Sequence, residues 1–254
     1  MNNLVRPKIV SRDEWLTARK KLLAKEKQLT RQRDALGAER RELPWVRVEK
    51  NYVFEGPRGK ETLADLFEGR SQLVVYHFMF APDWEEGCRS CSFWADGFNA
   101  IGVHVNHRDV TMVAISRAPI EKLEAFKRRM SWNFKWLSSS NNDFNYDYQV
   151  SFTPEALENE VEYNYAKRKT DMSDLPGVSV FYQDREGNIF HTYSAYSRGI
   201  DILNPVYGGT QQWPNAWGDP SKGTTSYGFG RWVSLQGGAY LFAPSIRFLK
   251  NLAD

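Results

Sequence analysis

The only two cysteines of the chain stand in one short motif, Gly87-Cys88-Arg89-Ser90-Cys91, just beyond the apolar run Leu73-Val74-Val75-Tyr76-His77-Phe78-Met79-Phe80. An apolar run of this length, entered from a turn, predicts a strand covered on both faces. The residues after it predict a loop and then a helix that begins near Cys88 and runs towards His107. With Cys88 as its cap, free backbone N–H groups and the helix dipole favour a thiolate there. Cys91 lies close enough along the helix to close a disulfide with it. The motif therefore points to thiol chemistry, on a substrate it does not name.

Composition limits the remaining classes. Basic residues number 34 and acidic ones 31, a net charge of +3, which is too even to predict a nucleic-acid or membrane partner. The first residues, Met1 to Pro7, lack the apolar stretch of a secretory signal. No later segment approaches the roughly eighteen uncharged apolar residues of a membrane span. The expectation is a cytoplasmic protein. In a reducing compartment a lone CxxC is redox-active or metal-binding more readily than a structural staple, because so short a bridge constrains the unfolded chain little.

Three parts are expected along the chain: a helical arm over 1–44, a central domain over 45–203 and an aromatic, glycine-rich extension over 204–254. In the arm, Ser11 with Glu14 makes a capping-box pattern and Pro44 closes a long helix from Ser11 to Leu43. Trp15, Leu22, Leu29, Leu36 and Leu43 recur every seven residues. That seam, roughly 42 Å long at about 1.5 Å per residue, exceeds the span of a small domain and predicts a homodimer. The central domain should hold a strand pair around Gly56-Pro57, a short helix from Leu63 to Phe67 and the 73–80 strand. A strand over Val110 to Ser116, a helix over Ile120 to Met130 and a segment from Trp132 to Leu137 follow. This alternation predicts an α/β fold with a central mixed sheet. A polar segment follows, with a surface helical insertion over Pro154 to Ala166. A hairpin then joins Val178–Gln183 to Ile189–Tyr196, and a terminal helix is expected from Pro244 to Leu252.

In this order of elements the chain resembles a thioredoxin- and peroxiredoxin-like family long catalogued as a bacterial domain of unknown function. The match is carried by Asp65-Leu66-Phe67-Glu68-Gly69-Arg70, by Tyr76-His77-Phe78-Met79-Phe80 and above all by Gly87-Cys88-Arg89-Ser90-Cys91-Ser92-Phe93-Trp94-Ala95-Asp96-Gly97-Phe98. It continues through Ser116-Arg117-Ala118-Pro119, Asp143-Phe144-Asn145-Tyr146-Asp147 and Pro176-Gly177-Val178-Ser179-Val180-Phe181, covering about residues 8 to 203. The resemblance implies a thioredoxin-like fold and a redox-competent dithiol. Peroxiredoxins usually place a threonine three positions before the reacting cysteine, whereas this chain has Glu85 there, which weighs against hydroperoxide reduction.

The resulting expectation is a thiol–disulfide oxidoreductase in which Cys88 is the nucleophile and Cys91 resolves the mixed disulfide, restored by an external dithiol and needing no cofactor. Arg89 favours the Cys88 thiolate, and Glu85 and Glu86 oppose it. Trp84 and Trp94 are expected to wall an apolar pocket over Cys88, or else to serve simple burial. His77 either orients substrate from the sheet or is a hydrogen-bonded core residue. Pro176, ahead of a strand, stands where thioredoxin-like proteins commonly carry a cis-proline facing the dithiol; the isomer stays open. Rival readings are a thiol peroxidase on the same cysteines, a non-catalytic binding module and a pair of inert buried thiols. A zinc site with His104 and His107 is disfavoured, since a continuous helix would put His104 roughly 24 Å from Cys88. No metal is expected.

Overall fold

The computed structural model describes residues 8–204. The aromatic extension after Asn204, with its expected helix from Pro244 to Leu252, lies outside the described residues. The chain divides between Pro44 and Trp45 into two compact units.

The first unit contains α1 (Arg12–Arg41). Ser11 caps it as expected: its hydroxyl accepts from the Glu14 N–H at 3.3 Å, and the Glu14 carboxylate accepts from the Ser11 N–H at 3.0 Å. Two N–H groups that a helix start would otherwise leave unpaired are thus satisfied reciprocally.

The second unit is built on one mixed sheet. In chain order its strands are β1 (Val46–Arg47), β2 (Val53–Gly56), β3 (Gly59–Thr62), β4 (Gln72–His77), β5 (Val110–Ser116), β6 (Lys135–Ser138), β9 (Gly177–Gln183) and β10 (Ile189–Tyr196). Their spatial order is β1-β10-β9-β4-β5-β6-β2-β3. β4, β5 and β6 run parallel, while β9 pairs antiparallel with β4 and β10 antiparallel with β9. The four strands expected to share a sheet do so, although the 73–80 strand ends at His77. Three parallel strands continued by an antiparallel hairpin, with the cysteine-bearing helix beyond the central strand, make this a thioredoxin-like fold.

Crossovers α2 (Arg89–Ala95), α3 (Phe98–Asn106) and α4 (Ile120–Arg129) contribute to one core cluster. It gathers Tyr76, Phe78, Trp94, Phe98, Ala114, Phe126 and Trp136. On the other face Phe54, Phe67, Leu73, Val75, Ile115 and Phe144 form a second cluster, the last from α5 (Phe144–Asp147). Successive residues of β4 thus enter different cores, as the two-residue period of a strand requires.

Two expectations need correction. The helix from Cys88 towards His107 is two helices, broken at Asp96-Gly97, where the Asp96 carboxylate accepts from the Trp132 indole at 2.9 Å. The insertion over Pro154 to Ala166 is helical only in α6 (Pro154–Leu157), and then becomes a hairpin of β7 (Val161–Tyr163) and β8 (Ala166–Arg168). Val161 and Tyr163 are buried and Glu162 between them is exposed, a strand pattern. The turn residues Asn164 and Tyr165 both have positive φ, 55° and 61°, the backbone that two-residue hairpins demand.

Below the sheet rim, Arg117 grips Asp174 with two hydrogen bonds of 2.9 and 2.6 Å, tying the segment before β9 to the turn after β5. Deeper in the sheet a polar chain runs from Asn145 through His77, Ser179 and Ser194 to His191, with contacts of 3.3, 2.9, 2.9 and 2.7 Å. A bulge between His191 and Tyr193 makes the last contact possible, because without the extra residue side chains three apart on β10 would face opposite sides.

Burial drives the pKa of His77 from 6.5 down to about 4. Above pH 6.5 the ring is neutral in both folded and unfolded chains. Between pH 6.5 and 4 the unfolded chain binds the proton first, so stability falls as pH falls, by about 3 kcal/mol in total from this one residue. Urea unfolding of wild type and His77→Gln across that range is expected to show a shallower acid loss in the variant.

Candidate active site

The loop that carries the dithiol is held at both ends by backbone bonds. The Cys88 N–H donates to the Met79 carbonyl at 3.0 Å, and the Ala118 N–H donates to the Phe80 carbonyl at 2.8 Å. Gly87 is required for this path, since a Cβ there would sit 2.8 Å from the Phe78 ring and 3.3 Å from Phe126. Cys88 consequently arrives at the N-cap of α2, as the sequence predicts.

Both cysteines are free thiols, Cys88 partly accessible and Cys91 buried. The Cys91 N–H lies 3.5 Å from the Cys88 sulfur and donates to it. The Cys88 pKa is lowered from its ordinary 9.0 to about 7. A hydrogen bond from the Cys91 side chain is the main cause; the backbone N–H groups of Cys91 and Ser90 add to it, and burial opposes it. Cys91 moves the other way, raised well above its ordinary value by burial and then by the neighbouring Cys88. The two sulfurs are therefore unequal: one is reachable and the more readily ionised, the other sheltered and held in its protonated form.

The expected influence of Glu85 and Glu86 is not among these causes. Glu86 instead pairs with Arg129 at 2.8 Å. Arg89 is exposed at the first position of α2.

The other residues singled out from the sequence separate into those near the dithiol and those away from it. Trp84 is half-buried against the same apolar cluster as Cys88 and Cys91, its carbonyl accepting from Lys122 at 3.1 Å. Trp94 is a core residue, only 3% exposed, with its indole N–H on the Ile200 carbonyl at 3.2 Å, a placement that answers to burial. Pro176 is buried just ahead of Gly177, the register partner of His77, and so stands at the sheet rim where β4 hands over to the cysteine loop. Its peptide bond is trans, as no cis bond occurs among the described residues. Its carbonyl accepts from the Tyr163 hydroxyl at 2.7 Å.

His77 does not meet the cysteines. Its ring stacks on Phe144 across a centroid distance of 5.5 Å in the opposite core, and both ring nitrogens are engaged there. The residue on the cysteine face is its neighbour Tyr76, whose hydroxyl interacts with Cys91 and more weakly with Cys88. Nothing in the local sequence singles out Tyr76 from the other apolar residues of the run. Among the described residues no group of three or more His, Cys, Asp or Glu side chains is placed to hold a metal, and no helix is long and apolar enough to cross a membrane.

Fold and site together define a thioredoxin-like protein with a paired-thiol motif at the start of the helix after the central strand. The chain belongs to the family described as "Bacterial protein of unknown function (DUF899)", which matches residues 4–215. No curated protein matches it. Solved structures with a related fold include the peroxidoxin BcpB from Mycobacterium tuberculosis, 13% identical, with a TM-score of 0.44 over 66% of this chain and 97% of that one. The bacterioferritin comigratory protein of Xanthomonas campestris is 11% identical, with a TM-score of 0.42 over 63% and 89% of the two chains. A yeast mitochondrial 1-Cys peroxiredoxin is 16% identical, with a TM-score of 0.39 over 64% and 74%. At this level of similarity none of the three bears on substrate or mechanism.

Because the Cys91 side chain is the main support of the Cys88 thiolate, its removal should be visible in reactivity. Iodoacetamide labelling of Cys88 is expected to reach half its maximal rate near pH 7 in the wild type. In Cys91→Ala the midpoint should move up, while the surviving backbone N–H keeps it below an ordinary thiol.

Proposed function

We propose that the protein is a thiol–disulfide oxidoreductase acting through Cys88 and Cys91. The observation that carries this reading is the inequality of the two sulfurs: an accessible Cys88 with a lowered pKa beside a buried Cys91 with a raised one. That is the division of labour dithiol exchange needs. The Cys88 thiolate attacks one sulfur of a substrate disulfide, a Cys88–substrate bond forms, and the other substrate sulfur leaves as a thiolate that takes a proton from water. Cys91 then gives its proton to water and attacks Cys88, expelling the second substrate sulfur as a thiolate that is free to take a proton back from water, and closing the Cys88–Cys91 disulfide. Two electrons have passed to the substrate, and an external dithiol returns them. The setting in which such a donor persists is the cytoplasm.

Replacing the resolving sulfur should arrest the cycle at its midpoint. Cys91→Ser protein incubated with a disulfide substrate is expected to accumulate a mixed disulfide at Cys88, read by intact-mass spectrometry. Capture only at Cys91 in Cys88→Ser would reverse the roles. A wild-type pair that forms no disulfide unless the protein is unfolded would leave a binding module instead, and oxidation by peroxide faster than by a small disulfide would make peroxide the substrate.

The working unit is proposed to be a homodimer joined through the arm, whose seam residues Trp15, Leu22, Leu29 and Leu36 on α1 and Leu43 just beyond it are each 43–56% exposed. An apolar line of this length suits a second copy. Light scattering should give a dimer for the full chain and a monomer for a chain starting at Trp45; a monomer in both ends the proposal.

A further inference from the structure

We propose that the Tyr76 hydroxyl is a hydrogen-bond donor held for the Cys91 sulfur, engaged when that sulfur carries negative charge during dithiol exchange. The proposal rests on the dithiol reading above and adds a residue to its chemistry.

Tyr76 lies in β4, opposite Ala114 of β5 and Val178 of β9, with no exposed surface. Phe78 and Phe98 hold its ring edge-on, with centroids 6.2 and 5.0 Å away, so the hydroxyl has no path to water. A buried tyrosine normally pairs its O–H. Tyr52 does so with Asp147, Tyr163 with the Pro176 carbonyl and Tyr196 with the Tyr148 carbonyl. The Tyr76 hydroxyl, by contrast, has no oxygen or nitrogen partner in the reduced protein and faces the Cys91 sulfur, with which it makes no more than the weak contact a thiol accepts. It sits in the same apolar cluster as Cys91 and within electrostatic reach of that sulfur.

The chemistry of sulfur accounts for an idle donor at this place. A thiol is a weak acceptor and a thiolate a strong one, so the O–H has little to bond until Cys91 ionises. That moment comes when the external dithiol reduces the Cys88–Cys91 disulfide. A donor thiolate bonds to Cys88, the Cys88–Cys91 bond breaks, and its electron pair stays on Cys91 inside an apolar cluster. Tyr76 donates its hydrogen bond there and keeps its proton, its own ionisation being suppressed by burial. The proton that later neutralises Cys91 is the one lost by the donor's second thiol, as that sulfur attacks the mixed disulfide and releases Cys88. In the opposite direction the same hydrogen bond favours the Cys91 thiolate that must attack Cys88.

The test is Tyr76→Phe, which deletes the hydroxyl and preserves the ring. Carbon-13 NMR of Cβ-labelled cysteine in a Cys88→Ser background follows the ionisation of Cys91 directly. Adding Tyr76→Phe is expected to cut the Cys91 thiolate population about tenfold or more at a given alkaline pH, the scale of a lost hydrogen bond to a charged group. With both cysteines present, reduction of the disulfide by dithiothreitol should slow by a similar factor. Alkylation of Cys88 should keep its pH midpoint and rate. Thermal unfolding at or above the wild-type midpoint separates this effect from damage to the core. Unchanged Cys91 titration would overturn the proposal. If the wild-type pair cannot be oxidised at all, the dithiol reading fails, and the Cys91 titration still decides whether Tyr76 bonds that sulfur.

Discussion

Strand β4 has no solvent-facing side, and most of what distinguishes this structure follows from that. It is flanked by β5 and β9, and its alternate residues supply two separate cores. A polar side chain on such a strand must find its partners inside the protein or go without. His77 and Tyr76 are adjacent in sequence and point into opposite cores. Their opposite fates are set by parity alone.

The end of β4 fixes the reactive loop in turn. Backbone bonds at Met79 and Phe80 and the bare α-carbon of Gly87 bring Cys88 to the start of a helix of seven residues. So short a helix offers a small dipole, and the local N–H groups and the Cys91 thiol dominate the Cys88 environment. One turn further in, Cys91 belongs to the same buried apolar cluster as Trp94 and Phe98, where burial suppresses ionisation. A displacement of three residues thus separates a partly accessible thiol with a lowered pKa from a sheltered one with a raised pKa.

The strand, loop and N-cap were legible because each has a local signature: an unbroken apolar run, a glycine and the CxxC. The hairpin after Pro176 could be read for the same reason. What could not be read is which core each β4 residue enters, since a strand buried on both faces has no polar side to set its phase. In the sequence the titratable His77 therefore stands out as a candidate and Tyr76 does not. The β7–β8 hairpin was hidden differently. Its turn uses Asn164-Tyr165 in a backbone usually signalled by glycine, and the helix start at Pro154 drew the whole segment into one element.

The two polar groups of β4 also differ in what they contribute. His77 belongs to a chain in which each member down to His191 has a partner, the condition under which a buried polar network rigidifies a core. The Tyr76 hydroxyl has only the weakly accepting Cys91 thiol beside it in the reduced protein, and a buried hydroxyl left without a good partner costs up to about 1–3 kcal/mol. Phenylalanine would fill the same volume without that cost. A polar group that weakens the resting fold and lies beside a sulfur is best accounted for by a state other than the resting one. The state that supplies a strong acceptor is the thiolate of Cys91, so under the proposed dithiol chemistry the cost falls on the reduced protein and the benefit on the step in which that thiolate forms.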